Sequence, residues 1–211
     1  MKPIFVKNEK ELKYFIFGSN VKVEESENPG DAGKPKEIKK PTEFEDMDDS
    51  YRFEDIEVIS EKAFYAPWNF RRVYFDTKLE TIKKEAFEDC SELEVFCCEE
   101  RCNNNYDEDS KIEGLKLNKK EIKSFKIEAK AFSGCTQLHT VILPECKKLI
   151  IEKDAFKDCK ELRTFVCFCD KILFTENPFE DCLESLVFVG KKNSDLKRFA
   201  RENGYRYVDG K

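Results

Sequence analysis

The sequence predicts an α/β repeat solenoid. Coils stack with a parallel β-sheet along the concave side, short irregular or helical segments on the convex side, and a helix at the C-terminal end. Three observations carry this. From Ile127 to Pro144 the chain reads Φ-x-x-x-Ala-Phe-x-x-Cys-x-x-Leu-x-x-Φ-x-Φ, with Φ apolar, and the pattern returns from Ile82 and Ile151. Worn copies start at Ile59 and Phe174, so the starts stand 23, 45, 24 and 23 residues apart. Each copy closes on an apolar alternation, which suits a short strand with one buried face.

A period of roughly 20–29 residues with a Leu-x-x-Φ-x-Φ segment is the signature of a leucine-rich repeat. One unit cannot bury its own apolar face, so neighbours stack and share a core. Equal return paths make successive strands parallel. The Ala-Phe pair belongs to the return path: Ala permits close approach and Phe fills the space between coils. The step of 45 is about two periods and reads as a hidden coil, with Ile112-x-x-Leu115-x-Leu117 as its strand and a polar loop, 99–110, as its return path.

These motifs resemble the BspA-type leucine-rich repeat over roughly residues 56–190, although the Pro expected after the strand occurs only at Pro144. The resemblance implies a surface or secreted protein used in adhesion and protein binding.

In chain order, residues 1–21 hold Leu12-Lys-Tyr-Phe15-Ile-Phe17, which fits an N-terminal strand capping the stack. Residues 22–50 carry ten acidic and five basic residues with Asn28-Pro-Gly and Gly33-Lys-Pro35, and read as an exposed acidic insertion. Residues 51–190 are the repeats. Trp68 sits beside Pro67, where the repeat normally has Cys, and fills a coil edge. Residues 191–211 form a helix-strand cap: Ser194 as N-cap, Leu196, Phe199 and Ala200 on one face, Gly204 as the stop, then Tyr205 to Val208 as a last strand.

Net charge is −6 with no basic stripe, which argues against nucleic acid, and no apolar run reaches the ~18 residues of a membrane span. The opening is too short for a secretory signal, so the chain is either cytosolic or preceded by a removed leader. Of ten cysteines, Cys90, Cys135, Cys159 and Cys182 share one repeat position and Cys98 and Cys167 another, which marks six as buried wall thiols.

The chemistry points away from an enzyme. His139 is the only histidine, and the repeat places Cys135 in the wall rather than beside it. Asn103, Asn105, Asp107 and Asp109 open like a calcium loop, but Glu108 and Gly114 replace its Gly and closing Glu. Zinc would need four ligands, of which Cys98 and Cys102 supply one pair. Neither a cofactor nor a metal is expected.

The repeat does supply a surface. On the concave sheet the outward positions read Arg72, Val95, Gly114, Thr140, Thr164 and Val187 in one row. The other row reads Tyr74, Cys97, Lys116, Ile142, Val166 and Val189, with Phe168 beyond it. The expected binding face is Tyr74, Thr140, Ile142, Thr164, Val166, Phe168, Val187 and Val189, meeting a protein partner or a second copy. Other readings are an intracellular scaffold, a face covered by the acidic segment, and a thiol-based redox protein using Cys97, Cys98 and Cys102.

Overall fold

The computed structural model describes residues 37–38, 50–65, 70–98 and 122–210. Their strands fall into two parallel sheets. The odd-numbered strands β1 (Glu37–Ile38), β3 (Val58–Ile59), β5 (Thr81–Ile82), β7 (Ile122–Ile127), β9 (Cys146–Ile151) and β11 (Lys171–Phe174) form a six-stranded sheet. The even-numbered strands β2 (Ser50–Phe53), β4 (Arg72–Phe75), β6 (Val95–Cys98), β8 (Thr140–Ile142), β10 (Thr164–Cys167) and β12 (Val187–Gly190) form the other, which β13 (Arg206–Asp209) completes to seven. Each coil contributes one strand to each sheet, and the core lies between them.

Two expectations are corrected here. The return path of each coil carries a strand of a second parallel sheet rather than only irregular or helical segments, because the apolar residue that starts each repeat (Ile59, Ile82, Ile127, Ile151) sits in a strand paired to its counterpart one coil on. The step of 45 does not hide a coil. β6 pairs directly with β8, as Cys97 with Ile142, and β5 pairs directly with β7. Residues 99–121 are therefore inserted between β6 and β7, the last strand of one coil and the first of the next, and Gly114 and Lys116 lie outside the described residues. A coil that the pattern missed comes first: Ile38 pairs with Ile59, and Tyr51 and Phe53 with Val73 and Phe75, although this coil lacks Ala-Phe. Its strand β1 lies inside the segment expected to be a loop. The strand expected at Leu12–Phe17, the edge position of Trp68, the loop from Asn103 and Cys102 lie outside the described residues.

The interior explains the repeat. Phe64, Phe87, Phe132, Phe156 and Phe179 stack face to face, with centroids 4.9–5.3 Å apart and planes within 7°. Each ring is held by its backbone, since the N–H of Phe64, Phe87 and Phe132 donates to the carbonyl of Ala86, Ala131 and Ala155 in the next coil. Pro178 takes the Ala position in the last coil, where only a carbonyl is needed, and it accepts from Phe156. The Cys position forms a second ladder. The thiols of Cys90, Cys135, Cys159 and Cys182 donate to the carbonyls of Phe64, Phe87, Phe132 and Phe156 at 2.9–3.2 Å. Leu93, Leu138 and Leu162 fall in the same buried core.

Two tight turns per coil bring the chain round. The residue before Ala is left-handed at Lys62, Glu85, Lys130 and Asp154, and so is the residue before Cys at Asp89, Gly134, Asp158 and Asp181. Asp and Gly tolerate that region better than Lys or Glu do.

Between β12 and β13 lies α1 (Asp195–Glu202), whose N-cap Ser194 accepts from the Lys197 N–H. Its Phe199 stacks on Phe174 with centroids 4.1 Å apart. Asp195 accepts the N–H of Ile172 on β11, at the end of the six-stranded sheet.

Candidate functional site

The outer face of the seven-stranded sheet gathers the residues that the pattern singled out. Thr140, Thr164 and Val187 stand in register across β8, β10 and β12, and Ile142, Val166 and Val189 form the parallel row. Tyr74 extends that row through Cys97, and Val208 on β13 continues it beyond Val189. Sequence reasoning left Val208 out. Its signal was the alternation of Tyr205-Arg-Tyr207-Val, read as a strand but not placed next to β12.

The face is not the open apolar patch the pattern implied. Ile142 is only 7 % exposed, Val166 1 % and Phe168 5 %, and with Cys97 they make an apolar cluster separate from the main core. Tyr74, Val95 and Val189 pack against this cluster from its margins. A β-branched row on adjacent strands packs side by side, so much of each side chain is covered by its neighbours. Phe168 turns across Gly210, where a Cβ would stand 2.4 Å from the ring, so this glycine is needed for close approach rather than for its φ. What remains half-exposed is Tyr74, Thr140, Thr164, Val187 and Val189, with Val208 at 47 %.

The thiols are poor candidates for chemistry. Burial pushes the Cys90 and Cys182 thiols up to about 12 and those of Cys135 and Cys159 well above their usual value. Cys97 is in a disulfide and Cys98 is buried, so neither presents the accessible thiolate a redox protein would use. A second bond, absent from the pattern's reading, joins Cys146 to Cys169 on successive coils, with their Cα atoms 4.6 Å apart. Its signal was the spacing of 23 residues, one period. His139 does not meet Cys135: its Nδ1 lies 2.8 Å from Thr140 Oγ1, and burial lowers its pKa. Among the described residues no group of three or more His, Cys, Asp or Glu is placed to hold a metal ion.

Comparison with known families turns this geometry into an assignment. The BspA type leucine rich repeat region matches residues 57–186 in six copies. The chain belongs to the BspA-type leucine-rich repeat family. Its members are generally non-catalytic, and a leucine-rich repeat solenoid suggests a protein-interaction module. No curated protein and no solved structure matches the chain. Among the described residues, no helix is long and apolar enough to cross a membrane.

Proposed function

We propose that this chain is a non-catalytic adhesion or protein-interaction module whose protein partner lies across the outer face of the seven-stranded sheet. The observation that supports this reading is the second apolar cluster. Parallel sheets occur with both faces covered. Here one face carries the core, while the other carries Cys97, Ile142, Val166 and Phe168 as a floor, flanked by the half-exposed Thr140, Thr164, Val187 and Val189. Such a floor lends shape, and the surrounding threonines and valines lend area and hydrogen bonds, as in the core and rim of an interface.

The test uses the half-exposed positions, because a charge at Ile142 or Val166 would enter a buried cluster. In Thr164→Glu/Val187→Glu, capture of the partner, or self-association, falls at least about tenfold, since two charges then face a desolvated contact. The unfolding midpoint stays within about 0.5 kcal/mol of the parent. Unchanged capture by a folded variant removes this face from the function.

A further inference from the structure

The C-terminal end of the solenoid finishes its two sheets differently. Against β11, the last strand of the six-stranded sheet, lies α1: Asp195 accepts the Ile172 N–H, and Phe199 stacks on Phe174. The seven-stranded sheet instead gains β13, which becomes its last strand. In a parallel ladder the two backbone groups of one residue point to one neighbouring strand, and those of the next residue point to the other. The Val187 N–H donates to Arg163 on the β10 side, so Phe188 and Gly190 serve β13, and the Gly210 N–H donates to the Gly190 carbonyl. Arg206 is in register with Val187 and Val208 with Val189, so Arg206 and Val208 turn their backbone groups to β12. Tyr205, Tyr207 and Asp209 turn theirs to the outer edge. The Tyr205 N–H is taken by the Ala200 carbonyl of α1. Among the described residues no strand lies beyond β13, and the N–H and carbonyl of Tyr207 and Asp209 face outward.

Such an edge is a template for a further strand, and proteins that avoid pairing blunt it with charge, proline or a bulge. β13 has no proline. Its one carboxylate, Asp209, is turned onto Lys197, at 2.6 and 2.9 Å. Val208 is instead left exposed at the end of the row that runs through Ile142, Val166 and Val189.

The geometry points to a second copy of this chain as the occupant, paired antiparallel through β13 about a two-fold axis at Val208. The edge is self-complementary there. Tyr207 of each copy lies opposite Asp209 of the other, so the outward N–H of each residue donates to the outward carbonyl facing it. Val208 meets Val208 on the axis, in the closer kind of antiparallel pair, with about 4.5 Å between Cα atoms. Arg206 falls opposite Gly210, which has no side chain to oppose it. An axis at Tyr207 would instead need the Tyr205 N–H, which α1 already holds. A pairing of this isologous kind closes at two copies. It uses the edge of the seven-stranded sheet and not its outer face, so it stands whether or not that face binds a partner. Its consequence is that the outer faces of two copies run on as one sheet.

Sedimentation equilibrium of the full chain tests it. The parent forms a reversible dimer, evident at about 100 µM, since so small an interface binds weakly. Asp209→Pro removes an outward N–H from each copy and leaves the ladder to β12 untouched; it weakens the dimer about tenfold or more. Val208→Lys sets two like charges opposite each other on the axis and weakens it about fivefold or more. Leu173→Lys, the same kind of change at an exposed aliphatic residue of the other sheet, alters it about twofold or less. The register has its own readout. With oxidised glutathione, Val208→Cys gives a disulfide-linked dimer, because the axis brings the two Cα atoms within bridging range, whereas Arg206→Cys does not. A parent that stays monomeric at about 100 µM overturns the assignment and leaves the edge to a foreign strand. So does a dimer that survives both Asp209→Pro and Val208→Lys, or one lost only in Thr164→Glu/Val187→Glu, which moves the contact to the outer face. Cross-linking of Arg206→Cys as complete as that of Val208→Cys overturns it too.

Discussion

The inside and the outside of these coils obey different constraints. Inside, the same side chain recurs at the same place and makes the same contact: Phe on Phe, Cys on a Phe carbonyl, Ala carbonyl under a Phe N–H. Outside, equivalent positions hold Arg72, Val95, Thr140, Thr164 and Val187. Stacking fixes the interior, because every coil is both floor and ceiling to its neighbours. The exterior has no such partner, so its choices are free to record what the molecule meets.

If that contrast is right, interior damage is costly and exterior damage is not. Phe132 lies at the middle of the stack, between Phe87 and Phe156, and edge-on to Phe96 at 4.8 Å. Phe132→Ala removes about 3–5 kcal/mol, as truncation of a buried Phe does, and urea unfolding measures it. A loss no larger than that of Thr164→Glu would erase the distinction between inside and outside.

The covalent tie between coils is the next largest effect. Cys146 and Cys169 close a loop of one period, with a sequence separation of 23, so the bond restricts the unfolded chain by about 3 kcal/mol. Cys146→Ser/Cys169→Ser lowers the unfolding free energy by that order. Equal stability of the parent with and without reductant would mean that the bond does not hold these coils.

How much of this was legible depends on which constraint wrote the residue. The interior was readable because recurrence is a signal in one sequence: Ala131, Phe132, Cys135 and Leu138 repeat at Ala155, Phe156, Cys159 and Leu162. The first coil was missed because it keeps its buried Tyr51 and Phe53 but not the Ala-Phe turn. The hidden coil was misread because an insertion of about one period in length mimics a coil when only spacing is counted. On the outer face, register was legible from the strand pattern. Burial of Ile142, Val166 and Phe168 was not, since it arises from neighbours on other strands.

The thiol ladder sharpens the contrast through pH. In the fold, burial raises the Cys90 and Cys182 thiols to about 12, so the folded state holds their protons where the unfolded chain has released them. Their contribution is intact below the unfolded value near 9 and is lost as pH rises towards 12. Each thiol then lowers stability by about 1.4 kcal/mol per pH unit across that window. Urea midpoints from pH 8 upward, about where the unfolded thiols begin to ionise, read the slope. Cys90→Ala reduces it by about one thiol's share. A flat profile would place these thiols in contact with water.

The smallest effect tests whether the turns, which join the two regions, follow the interior or the exterior. Lys130 adopts φ 57° before Ala131, and Gly134 adopts φ 75° before Cys135, so one coil has a strained turn and a relaxed one. Lys130→Gly relieves a left-handed cost of about 1–2 kcal/mol but loosens the unfolded chain by about 0.4–1 kcal/mol. The Lys130–Glu88 pair, 3.8 Å apart with a half-exposed lysine, adds little against this. The balance is a gain of about 0.5 kcal/mol, visible as a small rise in the urea midpoint. Gly134→Ala goes the other way and further, because it meets the same left-handed cost and its Cβ would stand 2.2 Å from Asp89 Oδ1. If both substitutions destabilise, Lys130 is held there by its contacts, and the turn belongs with the interior. If only Gly134→Ala does, the backbone alone sets the turn, and the side chain before Ala is as free as any on the outer faces.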